Sequence, residues 1–296
     1  MATGADELPV DAPSRPAPAP LERPWIEIRP GGRFLPRLDL RELWDYRDVG
    51  VILVVRDLKI RYKQTFFGVG WAIIQPLVAM VVFALILGRG VGISGDGVPY
   101  GAMVIAGLAI WSPFNTSLMA ATESLAGNAN MVTKVYIPRL MAPLAAVTAP
   151  LVDLTIALSI AVVVTVVAGV SLSVTVVLLP ACALATVVVA FGLALWLSAL
   201  NVLYRDVRYA LGFLMQLLFF LSPVVYPSSV TGSGWEQYLY AVNPLVGVIG
   251  LVRWALLGLP APPAGVLLVS LAATTLLMAS GLVFFRRMER QFADRI

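Results

Sequence analysis

Apolar positions in this chain do not alternate with polar ones; over most of its length they run together. Five stretches, 69–87, 101–121, 140–168, 174–200 and 264–285, are apolar almost throughout. At about 1.5 Å per residue each is long enough, or nearly so, to cross a hydrocarbon core of about 30 Å as a helix. Between 200 and 264 the pattern is less regular. The run 209–221 ends at Ser222-Pro223, with Pro227 following, and is too short to cross unaided. Tilting it, or extending it to Tyr226, completes a sixth span. The run 245–259 carries Arg253 and stops at Pro260. It reads as part of a re-entrant hairpin, 222–263, dipping in from the outer face, which survives only where protein or a watery cavity covers its backbone. Ahead of the first span, Leu40, Leu43, Trp44, Val51, Val54, Val55, Leu58 and Tyr62 recur at helical spacing, with charges on another side. That pattern predicts an amphipathic helix in the interface plane, with Gly50 as a candidate break. Residues 1–24 are rich in proline and alanine and read as disordered. Asp6 and Glu7 without a following apolar run exclude a secretory signal.

The expected fold is therefore an all-α integral membrane protein with six transmembrane helices. A tail over 1–37 precedes the interface helix at 38–65. The six-span domain covers 66–285 and a short C-terminal tail 286–296.

Charge fixes the orientation. The 296 residues include 21 Lys and Arg and 17 Asp and Glu, yet only 11 charged residues lie between 70 and 285. Six spans with both termini inside place 19 of the 21 basic residues on the cytoplasmic side, leaving Arg89 and Arg253 outside. Composition also removes several chemistries. Without histidine there is no His-based triad or zinc-protease site, and the lone Cys182 forms neither an internal disulfide nor a cysteine cluster. No phosphate loop is present: the glycine-rich stretch 88–97 has no lysine. Asp153 is the one deep ionisable residue, readable as a local helix contact or cap more readily than as a proton relay. Asp153, Glu123 and Asp206 make no catalytic pair, and no internal repeat marks an inverted-repeat carrier.

Two groups of residues remain. Arg56, Lys59, Arg61 and Lys63 stand against one acid, Asp57. They read as positive-inside anchoring or as a grip on a phosphorylated lipid headgroup. Trp111, Phe114, Phe219, Phe220, Tyr226, Tyr238 and Tyr240 read as an interfacial aromatic belt, or as surfaces on which sugar rings stack.

Several strings resemble one family. Arg56-Asp57-Leu58-Lys59-Ile60-Arg61-Tyr62-Lys63-Gln64-Thr65 with Gly68, Trp71 and Gln75-Pro76 resembles the approach to the first span of polysaccharide-exporting ABC-2 type permeases. Tyr204-Arg205-Asp206-Val207-Arg208 and the run from Gln216 to Pro227 resemble that family's fifth span, and Asn243-Pro244-Leu245 with Arg253 its following hairpin. The similarity covers roughly 38 to the C-terminus and assigns no role to the proline-rich leader. It implies a multi-pass cell-membrane permease subunit, working as a homodimer with two copies of a separate ATPase subunit. ATP and Mg belong to that partner, so this chain carries no cofactor of its own and is no enzyme. The implied cargo is a lipid-linked polysaccharide on polyprenyl pyrophosphate; membrane lipids are the other contact, and nothing points to nucleic acid. The resemblance makes Arg56, Lys59, Arg61 and Lys63 pyrophosphate contacts and Asn128, Met131, Lys134 and Tyr136 an ATPase-coupling loop. Trp111, Phe114, Phe219, Phe220, Tyr226 and Arg253 become the glycan path and gate. Rival readings are an ABC-2 permease for a drug or simple lipid, a proton-coupled carrier using Asp153, and a membrane-embedded glycosyltransferase.

Overall fold

The computed structural model describes residues 40–63, 68, 70–128, 137–204, 206–232 and 234–292. The tail expected over 1–37 lies outside the described residues. Among those described there is no strand, only one isolated bridge between Gly95 and Val98.

The expected interface helix is two pieces, α1 (Leu40–Asp45) and α2 (Arg47–Tyr62). The break falls at Tyr46, not Gly50. Gly50 serves packing instead: a Cβ there would lie 3.3 Å from the Met141 sulfur. One turn on, buried Leu53 packs with Met141 and Ala145.

Five apolar segments are long enough to cross a membrane: Gly70–Gly90, Tyr100–Gly127, Met141–Val167, Val174–Leu203 and Ala264–Glu289. They coincide with the five expected stretches. The first consists of α3 (Gly70–Phe83) and a π-helical continuation, Ala84–Gly90. The second is α4 (Tyr100–Gly127). The third is divided into α5 (Met141–Thr148) and α6 (Leu151–Val167), because Pro150 has no N–H to continue the ladder. The fourth is α7 (Leu179–Leu203) after a 3-10 turn. In the most apolar window of α4, 78% of positions are buried, against 6% in the first segment. α4 is therefore the central post, and α3 turns its side chains to the surroundings.

After α7 come α8 (Val207–Phe220), α9 (Glu236–Tyr240), α10 (Pro244–Leu257) and α11 (Ala264–Phe292). α7 and α11 lie side by side in the same direction. Gly281 stands against Gly192, where an added Cβ would sit 2.8 Å from the Gly192 carbonyl oxygen. One turn further along both helices, the rings of Trp196 and Phe284 stack at 4.2 Å. Small residues at such a seam let two backbones approach closely. Because the two helices are parallel, the chain between Leu203 and Ala264 must return across the bundle.

That return is made in two parts, both along α4. Arg208, at the start of α8, is 3.0 Å from Glu123, and Phe219, near its end, meets Trp111 at 5.3 Å. α8 has 14 residues, about 21 Å, and stops there. Beyond Phe220 the chain continues to Tyr226 without a helix, since Pro223 has no N–H with which to extend the ladder. Instead Leu221–Val225 climbs on. Val224 sits on Gly107, and the Tyr100 hydroxyl donates to the Val225 carbonyl at 2.5 Å.

The chain then turns inward. Near Ala241–Asn243 it reaches the level of Ser270, whose hydroxyl donates to the Ala241 carbonyl. From there α10 runs outward again, with Gly247 against Ser270 and the Ala255 carbonyl near Thr175.

Candidate functional site

Two of the four predicted headgroup residues line one pocket. It has a volume of about 380 Å³ and lies between α2, the last turns of α4 and the α5–α6 break. Arg56 and Arg61 face it with Asp57, Glu123, Ser124 and Asn128. Lys59 and Lys63 are exposed and do not line it. Positions 56 and 61 share a wall because the pocket wraps around part of α2 rather than meeting a single stripe.

Each arginine is already engaged. Arg56 sends Nε and Nη2 to one oxygen of Asp57, at 3.0 and 2.8 Å, and Nη1 to Asn128 Oδ1 at 2.8 Å. Arg61 donates to one oxygen of Asp153, and the Tyr62 hydroxyl donates to the other. Burial and that carboxylate push the Tyr62 phenol above its usual pKa. Asp153 sits in the first turn of α6, but instead of the local contact or cap expected from sequence it ties the interface helix to the third span. Glu123 is paired with Arg208, leaving the pocket's charges balanced at rest.

Asn128, from the expected coupling loop, is thus in direct contact with a residue of the expected headgroup set. Its own Nδ2 donates to the Ser124 carbonyl at 2.6 Å. Met131, Lys134 and Tyr136 lie outside the described residues.

The predicted path residues form a second group at mid-depth. Phe219 touches Trp111 at 5.3 Å, Phe83 at 5.9 Å and its neighbour Phe220 at 5.5 Å; Trp111 in turn lies 5.8 Å from Phe114. Phe114 is buried, whereas Phe220 is 60% exposed, so only part of the set faces outward. Tyr226 is 6.4 Å from Tyr240, and its hydroxyl donates to the Phe220 carbonyl. Arg253 is 2% exposed and holds the non-helical climb together. Nη2 donates to the Val224 carbonyl at 3.1 Å, and Nη1 to the Tyr226 carbonyl at 3.0 Å and the Ser228 hydroxyl at 3.4 Å.

Some roles were missed from sequence. Asn243 donates to the Leu221 carbonyl and the Ser222 hydroxyl while its Oδ1 caps α10 at Leu245 N. An Asn before Pro and an apolar run is a readable helix start, so that role had a signal. Tyr100, which satisfies the Val225 carbonyl from 125 residues away, had none. Arg139 is a third such residue. It donates to the Glu289 carbonyl and lies over the Phe292 ring, pinning the end of α11.

Among the described residues no cluster of three His, Cys, Asp or Glu is placed to hold a metal. Long apolar helices with an internal non-helical climb, sealed by buried side-chain donors, define a multi-pass membrane protein. Residues 50–257 match the family model described as ABC-2 type transporter, and the chain belongs to that family. It is similar to the O-antigen export system permease protein RfbA of Myxococcus xanthus, 27% identical over 258 residues, covering 87% of this chain and 98% of that protein. Two proteins of the same description from Klebsiella pneumoniae are each 26% identical, covering 68% and 83% of this chain and 77% and 94% of theirs.

Proposed function

We propose that the chain is the transmembrane permease subunit of an ABC exporter for polysaccharide carried on polyprenyl pyrophosphate. A homodimer of this chain would work with two copies of a separate ATPase subunit that binds ATP and Mg. The observation that carries the reading is the pocket holding Arg56 and Arg61 at the basic end of the bundle. Guanidinium groups offer planar forks that match phosphate oxygens, and here two approach one cavity. Similarity to O-antigen export permeases over most of the chain supplies the class of cargo. The absence of a phosphate loop from the sequence supports a separate source of ATP energy.

Both termini are cytoplasmic in this reading. The parallel run of α7 and α11 supports a sixth crossing, made of α8 and the climb Leu221–Val225. The hairpin through α9 and α10 re-enters from the outer face and forms the gate, with Phe219, Phe220 and Tyr226 along the path. Lys59 and Lys63 collect the anionic headgroup at the surface before it reaches the arginines. The coupling loop at 128–136 passes the ATPase's motion to the spans. The proton-carrier reading loses ground, since Asp153 is already held by Arg61 and Tyr62.

The test is a reconstituted vesicle carrying the complex and a labelled lipid-linked glycan. ATP should move the glycan to the side where an added glycosidase no longer reaches it, and Arg56→Ala should slow that at least tenfold. Transport against a gradient by this chain alone, without any ATPase, would overturn the proposal.

A further inference from the structure

Trp71 and Gln75 lie outside both groups of site residues. They stand one turn apart on α3 and so share a face, and both are exposed. With Arg61, Ser112 and Thr116 they line a second cavity, of about 170 Å³. Its hydrogen-bonding groups are only partly used. The hydroxyls of Thr116, Thr122, Thr165 and Thr186 each donate to a carbonyl one turn back on their own helix. The Ser112 hydroxyl and the Gln75 amide have no hydrogen-bond partner among the described residues. Hydrocarbon satisfies neither group, so this wall suits water or a polar ligand rather than a lipid tail. An aromatic ring beside an amide and hydroxyls is the chemistry that a sugar ring meets best, with an apolar face and a polar rim.

Arg61 lines this cavity and the headgroup pocket alike. Along α4 the headgroup pocket takes positions 120–128 and the second cavity 112–116, so about 6 Å of helix separates them. From this order we infer that the second cavity is the subsite for the first sugar of the cargo, the ring bonded directly to the diphosphate. The inference rests on the headgroup reading above. Trp71 offers its ring to the apolar face of the sugar. Gln75 offers donors and an acceptor, and Ser112 a hydroxyl. Thr116, whose proton is spent on the Ser112 carbonyl, only accepts. A cavity of this size takes one ring, so the permease reads the sugar at the lipid end and leaves the rest of the polymer unread.

The experiment uses the full complex with its ATPase, in detergent, and measures binding of polyprenyl probes of equal chain length. These are the alcohol, the diphosphate, and the diphosphate bearing one glucose, one galactose, or the N-acetylamino form of either. For at least one sugar, wild type should bind the glycosylated diphosphate roughly tenfold more tightly than the bare one, the scale of a stacking contact with a hydrogen bond. Trp71→Ala should remove that gain and leave the bare diphosphate bound as before, and Trp71→Phe, which restores a ring face, should recover most of it. Gln75→Leu, at an exposed position, should cut the gain about threefold, again without effect on the bare diphosphate. If wild type binds glycosylated and bare diphosphates equally for every sugar, yet prefers both to the alcohol, the subsite is wrong and the headgroup reading stands. If Trp71→Ala and Gln75→Leu weaken the bare diphosphate as much as the glycosylated one, their role is structural and the inference falls. Diphosphate bound no more tightly than the alcohol refutes the headgroup reading, and the subsite beside it.

Discussion

Arg253 is the bulkiest side chain to lie fully inside the described protein, and a guanidinium in that position is costly unless its donors are used. Nη1 and Nη2 make three contacts, with the Val224 carbonyl on the climb and with the Tyr226 carbonyl and Ser228 hydroxyl just beyond it, while Nε is buried without a partner among the described residues. Its position in an apolar run was plain in the sequence, but its partners were not, because backbone carbonyls carry no residue signature. Replacing it by Met keeps the length and removes every donor. The variant should lose about 3 kcal/mol of stability, the scale of leaving buried acceptors unmet, read as a lower unfolding temperature in detergent. A Met variant as stable as wild type shows that the climb holds itself. Asp153 makes the converse case. The sequence showed one deep acid and left its partner open; the fold brings Arg61 and Tyr62 to it from more than ninety residues away. Asp153→Asn should leave ATP-driven transport largely intact in the vesicle assay, while lowering stability by about 2 kcal/mol. Abolished transport in a correctly folded variant points instead to proton coupling.

At the scale of elements, the long spans were legible because a continuous apolar run has few alternatives in a bilayer. The short ones were only half legible. Hydropathy measured the length of α8 well, but it had no way to report that the chain runs on along α4 without a helix. That continuation depends on Gly107, set into α4 more than a hundred residues earlier. A Cβ at Gly107 would lie 2.3 Å from the Val224 carbonyl oxygen and 2.9 Å from its Cα, both backbone atoms with little freedom to yield. Gly107→Val should therefore push the climb off α4 and break the Tyr100–Val225 and Arg253–Val224 contacts. The expected result is increased protease cleavage between 221 and 243, with α7 and α11 still protected. Gly127→Val is the control: a Cβ there meets nothing within 4 Å, and it should cleave as wild type does. Equal cleavage of both variants shows that the seat on α4 is not what holds the climb. The interface helix shows the opposite limit of sequence reading. Gly50 looked like a break and is a contact, because a missing side chain signals close approach and flexibility alike.

For the whole molecule, topology follows from direction as well as from counting. Five full-length segments alone would put the two ends on opposite faces. The parallel pair α7 and α11 requires a return along the bundle between them, and α8 with Leu221–Val225 runs back along α4; on the sixth-crossing reading proposed above, the two ends then share a face. On that reading the basic residues of α2 and of the last turns of α11 share a face with Arg139 and Arg208, while Arg89 and Arg253 lie on the other side. Cysteine labelling with a membrane-impermeant reagent separates the alternatives, and the buried Cys182 keeps the background low. Ser94→Cys and Ser171→Cys should label in intact cells. Ala126→Cys, Tyr204→Cys and Arg287→Cys should label only after permeabilisation. Labelling of Arg287→Cys from outside, with Ala126→Cys protected, would mean an odd number of crossings. The end of α11, which Arg139 pins, would then lie outside. With an even number, α2, Asn128, Arg139 and the last turns of α11 share one face, where a single docking partner would reach all of them.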